Sequence, residues 1–397
     1  MSNLKIFSND VKVSEKRVIV RLDLNVPIKN SKIDDEARIN VVEPFLNKLI
    51  ENKAKIILLS HFGRPKGKPV PELSLKPIFN FLEKKLDGKI HFYKENIDDK
   101  AIDASKNIKP GEVLMFENIR FFEEEENDDE NFAKNLSKLG DIYINEAFSC
   151  SHRRQASMHK ITKFIKSYGG PTLEKEIRSI DLIIKNKKKP VTCIIGGSKI
   201  STKINVLSNL SKIADNLIIV GAMANNFIKH NGVDVGASLV EKDAGITVKK
   251  INSVAEKNNC KIIIPVDCNT SSNVNGDPIY KSLNEINSNE MILDIGKNTM
   301  NLISKIIDVS KTVFWNGPAG YYENTSFSLG SRHIAKKIAE NTKSNSLISI
   351  VGGGDTVAII KKTSLENAFT HLSTAGGAFL ESLEGKELPG VKVLEDN

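Results

Sequence analysis

The chain has 397 residues, is 40% hydrophobic and 27% charged, and carries a net charge of +8. Its length exceeds what one hydrophobic core usually serves, which predicts two domains of about 200 residues each in an ordinary soluble protein. The excess charge is scattered lysine, with only Lys187 to Lys189 forming a run, and aromatics are 6%; few stacking platforms and no basic block argue for a solvated surface and against a nucleic-acid partner.

The N-terminal "MSNLKIFSNDVKVSEKRV" lacks the apolar core of a signal peptide. No apolar run approaches the ~20 residues of a membrane span, so no membrane partner and a cytoplasmic location are expected. The first strand is expected in "RVIVRLD" (17–23), followed by a helix in "ARINVVEPFLNKLIE" (37–51). Further strands read in "AKIILLS" (54–60), "EVLMFEN" (112–118) and "DIYINEAF" (141–148), with the acidic "FFEEEENDDE" (121–130) as a solvated turn leading into a helix. Pro171 opens a helical stripe of Leu173, Ile177, Ile180 and Ile184 that Pro190 ends. It is read as a helix joining two domains.

Strand patterns then resume in "VTCIIG" (191–196), "NLIIVG" (216–221), "KIIIPVD" (261–267), "TVFWNG" (312–317), "LISIVG" (347–352) and "FTHLST" (369–374), with a helix in "SRHIAKKIAEN" (331–341). Continuous β-branched runs alternating with helices predict parallel sheets covered on both faces, an α/β fold. The cysteines Cys150, Cys193, Cys260 and Cys268 form no CxxC pair, so reduced, mostly buried thiols are expected.

Ligands in open α/β sheets bind beyond the carboxyl ends of the strands. In the first half those ends carry Asp23 and Asn25, His61 and Arg64, Arg120, and His152 and Arg153, with Arg38 early in the first helix. Guanidinium groups suit bidentate binding of phosphate and carboxylate, so this rim is read as an anion site. In the second half the ends are "GGSKISTK" (196–203), "GAMANN" (221–226), "WNGPAGYYE" (315–323), "GGGDT" (352–356) and "STAGGA" (373–378). Bare backbone amides and lysines suit nucleotide phosphates. Neither G-x-x-x-x-G-K-[ST] nor G-x-G-x-x-G occurs, which excludes a P-loop and weakens an NAD-dependent oxidoreductase. A two-lobed solute-binding protein is the other alternative; that class is normally exported.

These stretches, with "RLDLNVP" (21–27), "SHFGRP" (60–65), "SLKPI" (74–78), "ENIRF" (117–121), "SHRRQAS" (151–157), "LEKEI" (173–177) and "LEGKELPG" (383–390), resemble the phosphoglycerate kinase family from about Val18 to the C-terminus. The resemblance implies two Rossmann-like domains with parallel sheets facing a cleft. Their expected limits are 1–170 for the phosphoglycerate-binding domain, 171–189 for the joining helix and 190–378 for the Mg-nucleotide domain. Residues 379–397 would return to the first domain. It implies reversible phosphoryl transfer between 1,3-bisphosphoglycerate and ADP, giving 3-phosphoglycerate and Mg-ATP, by a monomer.

By that resemblance Asp23, Asn25, Arg38, His61, Arg64, Arg120 and Arg153 bind 3-phosphoglycerate. Lys199, Lys203, Glu323, Gly353, Gly354, Asp355 and Thr356 bind nucleotide, with Asp355 holding Mg2+. Arg38, Lys199 and Lys203 are the catalytic set, with Gly376 and Gly377 in a turn near the moving group. The chain departs from the family pattern at Ser149, Cys150 and Ser151, at Glu146, at Arg154 and at Ala375.

Overall fold

A computed structural model describes residues 4–29, 32–345 and 347–395. The chain forms two compact units. The first runs to Ile177 and takes in the C-terminal stretch from Glu387; the second is Arg178–Lys386.

The first unit is built on six parallel strands: β1 (Arg17–Arg21), β2 (Lys55–Leu59), β3 (Ile90–Tyr93), β4 (Val113–Phe116), β5 (Ile142–Asn145) and β6 (Ser167–Gly169), in the order β3-β4-β2-β1-β5-β6. The apolar stretches at the centre of this sheet, such as Val18–Val20, Ile56–Leu59 and Val113–Phe116, follow from burial on both faces. In β1, Val18 and Val20 pack in one cluster with Ile39, Leu46 and Leu49 of the helix Ala37–Glu51, whereas Ile19 packs in another with Ile57, Leu114 and Tyr143. Each such fully buried side chain contributes roughly 1.5–3 kcal/mol.

The second unit has β7 (Val191–Ile195), β8 (Asn216–Ile219), β9 (Lys261–Ile263), β10 (Thr312–Asn316), β11 (Ile348–Gly352) and β12 (His371–Ser373). They lie parallel in the order β9-β8-β7-β10-β11-β12. The strand order reverses beside β1 in the first sheet, between β1 and β5, and between β7 and β10 in the second. Such switch points open a crevice for ligands at the carboxyl ends.

Every strand expected from the sequence is present, but the run 261–267 is not one strand. It ends at Ile263, and Asp267 opens an antiparallel sheet of Asp267–Ser271, Ile279–Ser282 and Met291–Ile295. The Asp267 carboxylate is committed here: it accepts from the Asn298 N–H at 2.7 Å and the Thr299 N–H at 2.8 Å, capping the helix Lys297–Val309. The strands β3 and β6 and the short pair Ile28–Lys29 and Lys32–Ile33 carry too few residues to stand out by pattern.

The stripe helix spans Pro171–Ile184, with Leu173 and Ile180 buried. Its start is held by Glu146, whose Oε2 accepts from the Thr172 N–H at 2.9 Å. The chain leaves the second unit after Lys386, later than position 378. The reason is the helix Gly377–Leu383: Phe379 stacks on Phe314 with ring centroids 5.9 Å apart, and the Leu383 carbonyl accepts from Asn209 Nδ2 at 2.6 Å. The tail then joins the first unit, where the Gly390 N–H donates to the Ser151 carbonyl at 2.9 Å and its carbonyl accepts from Asn145 Nδ2 at 3.1 Å. All four cysteines are free and buried.

Candidate functional site

Each unit carries its own constellation at its switch point. In the first, Asp23 follows β1. It pairs with Arg38, whose guanidinium also donates to the Asn25 carbonyl at 3.2 Å. The Ser149 hydroxyl, from the segment after β5, donates to the same Asp23 oxygen as Arg38. Burial alone would raise the Asp23 carboxyl; His61, the Arg38 guanidinium and the hydrogen bonds from Ser149 and the Asn25 N–H outweigh it and hold it below the usual carboxylate value.

His61 is buried after β2, and burial, followed by the Arg21 charge, pushes its ring well below the ordinary value. The ring is therefore neutral at pH 7, and Arg38 is the lasting counter-charge of Asp23. Arg21 Nη2 lies 3.4 Å from His61 Nδ1. A guanidinium only donates, so Nδ1 accepts and the ring proton sits on Nε2, 4.0 Å from Asp23 Oδ1.

Asn25 Oδ1 accepts from the Gly63 N–H at 3.0 Å, and the Gly63 carbonyl accepts from Arg120 Nη1 at 3.0 Å. Arg120 is 3% exposed; its Nη2 donates to Gln155 at 3.3 Å, and its Nε has no partner among the described residues. Burial lowers its pKa, and the nearby charges of Arg21 and Arg153 act in the same direction. Arg153 thus adds to this positive field. The side chains of Arg64, which is exposed, and Arg153, which is half-buried, bond to no described residue. Asp23, Asn25, Arg38, His61, Arg120 and Arg153 are thereby brought together, with Arg64 on the loop that bears His61.

Sequence reasoning missed several members. Arg21 is fully buried, and its Nε donates to Ser157 Oγ at 3.0 Å. Ser157 in turn donates from Oγ to Glu125 Oε1 at 2.6 Å and from its N–H to Oε2 at 2.8 Å. Glu125 belongs to the acidic run expected to be solvated; that expectation is corrected, since burial raises its pKa to about 7 against the opposing pull of Arg21. The available signal was an arginine inside an otherwise apolar strand, which demands a buried acceptor.

Among the described residues, Asp23, His61 and Cys150 are the one trio of potential metal ligands whose atoms all lie within 4.8 Å of one another. Three guanidinium groups act on the same pocket, which disfavours a cation there.

In the second unit the turns after β7 and β10 touch. A Cβ at Gly196 would lie 2.1 Å from the Pro318 carbonyl oxygen, and one at Gly317 (φ +96°) 2.3 Å from that of Gly196. Only glycine permits this approach. Lys203 Nζ sits beneath it, donating to the Gly196 carbonyl and to Asn316 Oδ1, both at 2.7 Å. One ammonium N–H remains for a ligand. Burial lowers the Lys203 pKa to about 8, with Asp355 resisting.

Asn316 Nδ2 donates to the Gly352 carbonyl at 2.7 Å, which ties Lys203 to the glycine turn after β11. Gly353 takes φ +97°, and Gly354 and Asp355 open the helix Gly354–Lys362. Thr356 is fully buried and its Oγ1 accepts from the Gly317 N–H at 2.7 Å, so its side chain also joins the two turns.

Asp355 is exposed; its Oδ1 accepts from the Tyr322 hydroxyl at 2.9 Å. Burial first, then this hydrogen bond, raises the Tyr322 phenol to about 12, so it remains a donor at physiological pH.

Asp355, Tyr322 and Glu323 line a cavity of about 410 Å³ whose other walls are largely apolar, including Ala222, Leu239, Met291, Leu293 and Pro318. An apolar slot with few polar groups at one end fits a flat organic ring attached to an anion. Its Met291–Leu293 wall comes from the antiparallel sheet, which the sequence did not reveal. Lys199 is exposed on the turn after β7 and bonds to no described residue through its side chain, while Gly376 (φ +56°), just before the last helix of this unit, and Gly377, its first residue, face open space.

A family model described as phosphoglycerate kinase matches residues 8–386. The phosphoglycerate kinase of Sinorhizobium medicae (strain WSM419) is 43% identical over 385 residues, 96% of each chain. That of Bradyrhizobium diazoefficiens is 44% identical over 388 residues, 97% of each chain. Among solved structures, phosphoglycerate kinase from Coxiella burnetii superposes with a TM-score of 0.90 at 37% identity, covering 99% of both chains.

Proposed function

The chain belongs to the phosphoglycerate kinase family, and on that premise we propose a division of labour between its two units. The activity is reversible phosphoryl transfer between 1,3-bisphosphoglycerate and ADP, giving 3-phosphoglycerate and ATP. The first unit holds the phosphoglycerate and the second the nucleotide. The observation that carries this reading is the contrast between the two switch points. One gathers Arg38, Arg120 and Arg153 around Asp23 and a neutral His61. The other sets an apolar cavity beside Lys203 and Asp355.

In the first unit Arg64 and Arg153 have uncommitted guanidinium groups for the substrate phosphate, and Asp23, Asn25 and His61 offer polar contacts for hydroxyl and carboxylate. Arg38 neutralises the transferring group; its partial exposure beside Asp23 supports this role. In the second unit the cavity takes the base, with Glu323 at its edge for the ribose. Lys203, Lys199 and the bare amides at Gly353 and Gly354 meet the phosphates. Thr356 serves through the scaffold bond it makes to Gly317.

The residues fit Mg2+: Asp355 is exposed on the cavity wall, and its Oδ2 accepts no hydrogen bond from a described residue. Mg2+ is usually held by one or two carboxylates plus phosphate oxygens and water, so Asp355 with the nucleotide would suffice, and the ion would neutralise phosphate charge.

No general base is required, because the attacking oxygen is already ionised in either direction. The work of the protein is positioning and charge neutralisation. Each fixed cation is worth roughly 3 kcal/mol by analogy with oxyanion-hole donors. Gly376 and Gly377 form a turn that serves the transfer step.

No helix among the described residues is long and apolar enough to cross a membrane; the protein acts as a monomer in the cytoplasm, which sedimentation and fractionation would test. Paired calorimetry tests the division of labour. Arg153→Ala should lose 3-phosphoglycerate binding and keep ADP binding, and Lys203→Met should do the reverse. Loss of both ligands in either variant would sink the assignment.

A further inference from the structure

Tyr322 does more than line the nucleotide cavity. It is half-buried, and its hydroxyl donates to Asp355 Oδ1 at 2.9 Å, leaving Oδ2 without a described hydrogen-bond partner. The carboxylate itself is exposed at the start of its helix and would otherwise rotate freely. A tyrosine ring has two side-chain torsions, so a ring partly packed in the cavity wall places its hydroxyl at little entropic cost.

We propose that Tyr322 is a positioning residue that occupies one oxygen of Asp355, so that the carboxylate meets a divalent cation through a single oxygen and thereby favours Mg2+ over Ca2+. The inference rests on the reading of Asp355 as the metal-holding carboxylate. Mg2+ demands a tight octahedron of about 2.0–2.1 Å and keeps several waters, so one carboxylate oxygen suits it. Ca2+ takes six to eight oxygens at about 2.3–2.6 Å and readily uses both oxygens of a carboxylate. A phenol hydroxyl bonded to Oδ1 leaves the first mode intact and obstructs the second.

Tyr322→Phe keeps the ring and deletes the donor. ADP binding is measured by calorimetry with Mg2+, with Ca2+ and with chelator, in wild type, Tyr322→Phe, Asp355→Asn and the double variant. Tyr322→Phe should weaken Mg-ADP by about three- to tenfold, the range of one net hydrogen bond. It should leave metal-free ADP unchanged and hold or strengthen Ca-ADP, so the preference for Mg2+ falls. In the Asp355→Asn background it should change nothing.

An unchanged Mg2+ to Ca2+ ratio in Tyr322→Phe would overturn the proposal. So would an equal loss of metal-free ADP, which would make Tyr322 a wall of the cavity only. If Asp355→Asn still gains affinity from Mg2+ as wild type does, the reading of Asp355 fails, and that outcome is distinct from the other two.

Discussion

Replacing Lys203 by methionine isolates the cost of keeping an ammonium in the second unit. Burial lowers its pKa from 10.5 to about 8. The gap, 10.5 − 8 or about 2.5 units, corresponds to about 3 kcal/mol at 1.36 kcal/mol per unit. Below pH 8 the group is charged in both the folded and the unfolded chain, and the fold carries the whole penalty. Between pH 8 and 10.5 the unfolded chain still binds a proton that the folded chain has released, so stability rises with pH. Methionine fills the same space without titrating.

The wild-type minus Lys203→Met difference in unfolding free energy should therefore climb by about 3 kcal/mol between pH 7 and 11. At pH 7 the variant gains relief from the penalty but strands the Gly196 carbonyl and Asn316 Oδ1, each costing about 1–3 kcal/mol, so its net stability should change little. Urea unfolding of both chains at unit pH steps reads the difference directly. A difference that stays flat across pH 8 to 10.5 would refute the argument that burial depresses this lysine.

Arg38→Ala should reduce kcat by about 10²–10³ while ADP affinity measured by calorimetry stays unchanged; a large loss of ADP affinity would mean that Arg38 serves the other ligand. Glu125 has a raised pKa of about 7, so the unfolded chain releases its proton at lower pH than the folded one, and its contribution falls as pH rises. Wild type should lose about 3 kcal/mol relative to Glu125→Gln between pH 4.5 and 8, followed by denaturant titration. Gly376→Ala should cost about 1–3 kcal/mol through its positive φ, whereas Gly377→Ala, at a helix start in open space, should be neutral or stabilising in the same thermal melts.

The parallel strands were legible because burial on both faces forces apolar runs such as Val18–Val20 and Ile56–Leu59. The candidate site residues were legible as a group because they stand where those runs end. What stayed hidden depends on contacts distant in sequence. Asp267 reads as the tail of an apolar run, yet it caps the helix beginning at Lys297. Glu125 looks solvated among four consecutive glutamates until Arg21 and Ser157 arrive from elsewhere in the fold. The Tyr322 bond to Asp355 joins residues 33 apart, and no local spacing announces it. The late exit of the chain at Lys386 is set by Phe379 packing on Phe314, a pairing that periodicity does not reveal.

The division of labour between the units is tested most directly by amide shift mapping on isotopically labelled full-length protein, with 3-phosphoglycerate and ADP added separately. 3-Phosphoglycerate should shift resonances at 23–25, 61–64, 120 and 149–153 and leave the second unit quiet. ADP should shift those at 196–203, 317–323 and 353–356 and leave the first unit quiet. Shifts from 3-phosphoglycerate centred on Lys203 and Asp355, or from ADP centred on Asp23 and Arg120, would contradict the account.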